Sequence, residues 1–310
     1  MKDYFAFGGC FRSEVEFPDL SPFPGYGEPD WTVEISTSGP GERGELQGVR
    51  EFEGGWALRL YRLREGLRLE YGATGSYEIS EGGRRIVWYP GPDRREEVVR
   101  AVILGPLIAL ALHEAGTLCL HGSAVSLEGR GIGFLAPKGY GKSTLAAVLA
   151  AAGGQLMSDD LVAVTPSSVP ELLPSVHSIR MWSDVEEIIS DAFPGASVRD
   201  GYKKTMTNLP PHRLGWNRVP LDTIYLITAG SETDDEVPRR TRVEPVEAAL
   251  ALARNTKLTN DLVGYLEAGK MLQWIARLVP RIPVYRLELP RDLQRLPRVT
   301  EEILSWHPAR

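Results

Sequence analysis

The sequence predicts a mixed α/β (α+β) chain, with a small β-rich N-terminal domain over residues 1–95 and a phosphate-loop domain over 96–310. Three observations carry this. Up to about residue 95 the chain is made of short alternating runs broken by Pro- and Gly-rich turns. From "REEVVRAVILGPLIALALHEAG" the apolar period becomes helical. Then "GIGFLAPKGYGKSTLAAVLAAAGG", residues 131–154, passes from a strand through a glycine turn into an alanine-rich helix.

In chain order, "YFAFGGCFRSEVEF" alternates and breaks at "PDLSPFPGYGEPD", a loop. "WTVEIST", "GWALRLYRL" and "LRLEYG" alternate as strands, and "YEISEGGRRIVWYP" reads as a hairpin around Glu81-Gly82-Gly83. Glu96 and Glu97 open the helical run and Gly116 closes it; Pro106 inside predicts a buried, kinked helix. "LCLHGSAVSLEG" and "GIGFLA" read as two strands turning at Glu128-Gly129-Arg130. After the loop and its helix, "GQLMSDDLVAVTP" reads as strand, paired acids, strand. "SVHSIRMWSDVEEIIS" and the polar "GYKKTMTNLPPHRLGWNRVP" lead to the apolar strand "LDTIYLITA". "SETDDEVPRRTR" reads as a charged loop. "PVEAALALAR" and "LVGYLEAGKMLQWIARLV" read as helices, "VYRLEL" as a strand, and "DLQRLPRVTEEILSW" as a last helix containing Pro297.

Composition narrows the function classes. The formal charge is −6, from 41 acids against 35 bases, so no basic surplus points to nucleic acid. The two cysteines, Cys10 and Cys119, lie far apart, which argues against a disulfide framework and for a reduced, cytoplasmic setting. The N-terminus lacks the pattern of a signal peptide. The longest apolar run, residues 101–112, is shorter than the roughly 20 residues that span a bilayer, so no membrane partner is expected. Homo-oligomerisation stays open.

The glycine turn has a definite chemistry. Gly139 and Gly141 let backbone N–H groups converge on phosphate oxygens, and the following helix adds its unpaired amides and positive dipole end. Lys142 supplies a charge to the outer phosphates, and the Ser143 hydroxyl a ligand for Mg²⁺, with Thr144 adjacent. The motif usually starts with a glycine where this chain has Ala136. A residue before proline is extended, so Ala136 is expected as the last residue of the strand, where glycine is not needed. Pro137 donates no N–H, so the cradle begins at Lys138 and runs through Gly139 and Tyr140.

Downstream, Asp159 and Asp160 stand at a strand end or turn. Neighbours in a strand point to opposite faces, so both reach one site only if the chain bends there. Paired acids near a phosphate loop have two natural tasks: holding Mg²⁺ on the nucleotide and accepting a proton from an attacking hydroxyl. His121, on the preceding strand, can point at the same place.

The run "LHGSAVSLEGRGIGFLAPKGYGKSTLAAVLAAAGGQLMSDDLVAV" resembles the core of HPr kinase and its relatives, which share the phosphoenolpyruvate carboxykinase fold. The pattern is a His-Gly strand, a phosphate loop, a helix and then Asp-Asp. "YFAFGGCFRSEVEFPDL", "ILGPLIALALHEAGTLCLHGSAV" and "SIRMW" are further similar to the HPr-kinase-like group found in lasso-peptide clusters. The resemblance implies a P-loop fold with a mixed sheet, like the C-terminal domain of HPr kinase. It implies an ATP- and Mg²⁺-dependent kinase acting on a serine hydroxyl of a peptide or protein, with the C-terminal serine of a ribosomal precursor peptide as the leading acceptor. Carried over, Lys138 to Thr144 hold the triphosphate, and Ser143 and Asp159 hold Mg²⁺. Asp160 takes the acceptor's proton with help from His121, the reverse order of the two acids being the alternative. Thr144 stands where HPr kinase has glutamate, Lys138 replaces a serine, and the arginine-rich C-terminal signature is absent, so HPr itself is not the expected substrate. Arg180, Lys203 and Lys204 are further candidate phosphate or substrate contacts. A small-molecule kinase, for free serine or a sugar, and a nucleotide-binding module without transfer are the competing readings.

Overall fold

The computed structural model describes residues 1–52, 56–200, 204–230, 238–258, 265–290 and 292–308. The protein is mixed α/β and divides into two compact units, Met1–Cys119 with Thr256–Gln273, and Leu120–Asn255 with Trp274–Arg310. Among the described residues no helix is long and apolar enough to cross a membrane.

The first unit holds an eight-stranded sheet in the spatial order Lys2–Ala6, Gly9–Ser13, Trp31–Ile35, Arg85–Pro90, Gly75–Ser80, Gly66–Tyr71, Trp56–Leu63, Glu45–Phe52. Trp31–Ile35 runs parallel to both neighbours and every other pairing is antiparallel. The alternating pattern buries one face: Leu67, Leu69, Tyr77 and Ile79 are at most 1 % exposed. The turn at 81–83 closes the expected hairpin. The first fourteen residues form a hairpin instead of a single alternating run, because Phe7 and Gly8 both take positive φ (51° and 76°). The helical run starts at Glu96 as expected. It is broken into Glu96–Val102, a π-helical turn Ile103–Leu107 and Ile108–Glu114, with Pro106 and Gly105 at the kink.

The second unit is built on a mixed sheet whose long strand is Val219–Ala229. Arg130–Leu135 and Val284–Leu289 flank it in parallel, while Glu171–Leu173 pairs antiparallel with its first residues. Gly122–Leu127 continues the sheet as an antiparallel neighbour of Arg130–Leu135, and Gln155–Ser158 follows it. The helix Lys142–Ala151 packs on Gly122–Leu127, Gln155–Ser158 and Arg130–Leu135, in a core that also takes in Tyr225 and Ile227. Its alanines 146, 147 and 150 are fully buried, and Ile189, Phe193, Val299 and Ile303 complete that core. Small side chains allow this helix a close approach to the sheet, which fixes the position of its N-terminus.

Two segments differ from the sequence reading. Within the polar stretch, Lys204–Thr207 is the middle strand of a small antiparallel sheet with Ile179–Met181 and Ser197–Arg199. The end of the charged "loop" is a strand, Arg239–Arg242, paired with Val284–Leu289. Its cations are largely exposed, so alternation gives no hydrophobic signal there. Pro297 falls in the first turn of Leu296–Ser305, where a missing N–H costs nothing.

Candidate functional site

The Arg130–Leu135 strand ends one residue before the expected Ala136, which is buried (3 % exposed) at the start of the loop. Gly139 and Gly141 take φ of 88° and 80°, the left-handed region that a side chain disfavours. These two bends reverse the chain so that Lys142 opens the helix immediately after the turn. Lys142 is 8 % exposed, and its ammonium donates to the Ala136 and Pro137 carbonyls at 2.8 and 3.1 Å. The lysine thus braces the loop across its own mouth. The Lys138 ammonium lies 4.9 Å from the centre of the Trp182 ring.

The acids meet the condition that sequence imposes on them. The Gln155–Ser158 strand stops directly before Asp159, and Asp160 takes φ = 70°, so the chain bends between the two carboxylates. Aspartate is one of the few residues that tolerate this conformation. Asp159 is buried, at 6 % exposure, and fully engaged. Its Oδ1 accepts from the hydroxyls of Ser143 and Ser123, both at 2.7 Å, and its Oδ2 accepts from the backbone N–H of Arg180 at 2.7 Å. Asp160 is more open: its carboxylate lies 3.2 Å from His121 Nδ1 and 3.3 Å from Arg180 Nη1. His121 does not sit within a strand. It occupies a break between Leu118–Leu120 and Gly122–Leu127, and its N–H donates to the Asn255 carbonyl at 2.7 Å. A Cβ on the next residue, Gly122, would stand 2.5 Å from the Phe134 carbonyl, so only glycine lets the chain pass here.

These groups line one cavity of about 520 Å³, shared by the loop residues Lys138 to Thr144, Asp159, Asp160, His121 and Arg180. The rest of its lining is mostly apolar, with Ile227, Leu289, Leu296 and Val299 beside Thr228 and Asp292. Lys204 is not part of that lining; its ammonium pairs with Glu186, which raises its pKa above the ordinary lysine value. Lys203 lies outside the described residues.

Ser123 is a site residue that the sequence reading missed. The available signal was its place two residues beyond His121, the spacing of one strand face. It is fully buried and shares Asp159 Oδ1 with Ser143. Ser123→Ala is expected to destabilise the fold by about 1–3 kcal/mol, because a buried carboxylate loses a donor. On the sequence expectation that Asp159 holds Mg²⁺ on a nucleotide, the substitution also raises the Mg²⁺ concentration that nucleotide binding needs. A thermal melt and a Mg²⁺ titration check both; unchanged values in the two would show that the hydroxyl positions nothing.

Among solved structures, the chain is similar to the Hpr(Ser) kinase/phosphatase from Coxiella burnetii. The match has 15 % identity and a TM-score of 0.33, and it covers 61 % of this chain and 89 % of that one. No family model matches the sequence, and no curated protein matches it.

Proposed function

We propose that this protein is an ATP- and Mg²⁺-dependent kinase that transfers the terminal phosphoryl group to a serine hydroxyl of a peptide or protein. The acceptor we favour is the C-terminal serine of a ribosomal, lasso-type precursor peptide, on the motif resemblance of "LHGSAV", "PKGYGKST" and "SDDLVAV". The observation that carries the reading is the linked pair Ser143–Asp159, 2.7 Å apart at the head of a helix behind a glycine turn, with Asp160 and His121 facing the same cavity.

The loop amides from Lys138 on, the helix N-terminus and Lys142 receive the phosphates. Ser143 Oγ and Asp159 Oδ1 are hard oxygen ligands side by side, which fits Mg²⁺. Among the described residues there is no cluster of three or more His, Cys, Asp or Glu for a metal. Mg²⁺ on a nucleotide takes one or two protein ligands and completes its shell with phosphate and water. When bound, the ion neutralises charge on the transferring group. Asp160, open to the cavity, accepts the proton of the attacking hydroxyl, and His121 orients its carboxylate. Asp159 suits the metal role better than the base role, because it is buried and joined to the Ser143 hydroxyl at the head of the loop helix, whereas Asp160 is the more open acid.

Incubation with ATP–Mg²⁺ and a panel of serine-ended peptides, free serine and sugars, read by mass spectrometry, tests the proposal. A phosphoryl gain on a peptide serine is the expected result. Gain only on serine or a sugar makes the protein a small-molecule kinase. Bound ATP with no product makes it a nucleotide-binding module.

A further inference from the structure

Arg180 stands at the centre of the site without a settled task. It lies on the Ile179–Met181 strand, and it touches both acids in different ways. Its backbone N–H holds Asp159 Oδ2 at 2.7 Å, while its Nη1 reaches Asp160 Oδ2 at 3.3 Å. A guanidinium carries five N–H donors in a planar fork. Among the described residues, Asp160 is the one side chain that this fork meets, so the Nε–Nη2 edge has no protein partner. The side chain is 46 % exposed and lines the cavity.

The position of that edge argues for the acceptor, not the nucleotide. Asp159 divides the site. Its Oδ1 faces Ser143 at the head of the loop helix, and its Oδ2 faces the Arg180 backbone. Arg180 meets Asp159 on the oxygen that Ser143 does not use, and its Nη1 meets Asp160, the acid that takes the acceptor's proton in the kinase reading. The loop side already has Lys138, Lys142 and the helix amides for phosphate oxygens. A hydroxyl hydrogen-bonded to Asp160 lies within one short side chain of the open fork. A fork edge next to the acceptor hydroxyl matches a planar oxyanion, and a carboxylate fills it with two parallel hydrogen bonds.

We propose that Arg180 is a specificity-determining residue whose free guanidinium edge binds a carboxylate carried by the acceptor beside its reacting hydroxyl. This rests on the kinase reading and deepens it: neutral alcohols become poor acceptors and hydroxy acids or serine with a free carboxylate become good ones. Arg180→Lys keeps the charge and loses the fork, so it retains part of the preference.

The test compares matched acceptors, L-serine with L-serinamide and a serine-ended peptide with its C-terminal amide, by ADP release and product mass. The wild-type protein is expected to prefer the free acid by at least about tenfold in kcat/KM, the value of one charge-assisted pair. In Arg180→Ala the two should come within about twofold of each other, with the affinity for ATP–Mg²⁺ nearly unchanged. The ratio is the readout, because any disturbance of Asp160 affects both acceptors alike. Equal use of acid and amide by the wild type overturns the proposal, as does a preference that survives in Arg180→Ala. If Arg180→Ala loses affinity for ATP but not ADP, the fork reads the terminal phosphate and the proposal fails. If no acceptor raises ADP release although ATP–Mg²⁺ binds, it is the kinase reading that fails, and this proposal falls with it.

Discussion

Asp160→Asn is expected to lower phosphoryl transfer by about a thousandfold, within the range that a general base contributes, while ATP–Mg²⁺ binds with little change. The substitution isolates the proton-accepting role. Asparagine has the same shape and also tolerates the left-handed backbone, so φ = 70° at this position need not change. His121 and Arg180 contact different oxygens of Asp160, at 3.2 and 3.3 Å, so the amide oxygen keeps the guanidinium contact and the NH2 group turns to His121. The shape stays, and the negative charge goes with the basicity. Initial rates together with calorimetric ATP–Mg²⁺ affinity check this. Loss of nucleotide binding along with transfer would assign Asp160 to the metal and leave Asp159 as the base.

Lys142→Ala is expected to weaken ATP–Mg²⁺ binding by about tenfold to a hundredfold, since a hydrogen bond to a charged group is worth about 1.5–3 kcal/mol. The structure adds a second consequence. Lys142 Nζ bridges the Ala136 and Pro137 carbonyls, so the alanine variant also loosens the turn that aims the amides. Calorimetry on a variant whose melting temperature shows it folded separates binding from collapse. Equal affinity in the variant would remove this loop from the nucleotide site.

Local chemistry made the loop and the acid pair legible in the sequence. Glycines at 139 and 141 have few uses other than a left-handed turn, and both take it. An alanine-rich run after them is a helix by propensity, and Lys142–Ala151 is one. The mixed α/β character followed from the same periodicities. What the sequence did not show depends on contacts distant along the chain. Ser123 meets Asp159 across 36 residues, and the Arg180 amide reaches the same carboxylate across 21. No local pattern marks a backbone N–H as a carboxylate ligand. The strands Lys204–Thr207 and Arg239–Arg242 escaped notice because charged or polar side chains dominate them and Met206 is the one apolar residue among the eight, although Met206 and Thr207 are buried. The Phe7-Gly8 turn was hidden for a related reason: Phe7 is 1 % exposed, so a turn residue carries a core side chain and the apolar pattern runs through it.

In the proposed mechanism Asp160 carries the proton transfer, while Asp159 is held by three donors. The most direct measurement of the central claim follows phosphorus itself. Phosphorus NMR of the protein with ATP, Mg²⁺ and a serine-ended peptide is predicted to show a phosphomonoester resonance that grows in step with ADP. Growth of inorganic phosphate alone, or ATP left intact beside folded protein that binds it, would contradict the account.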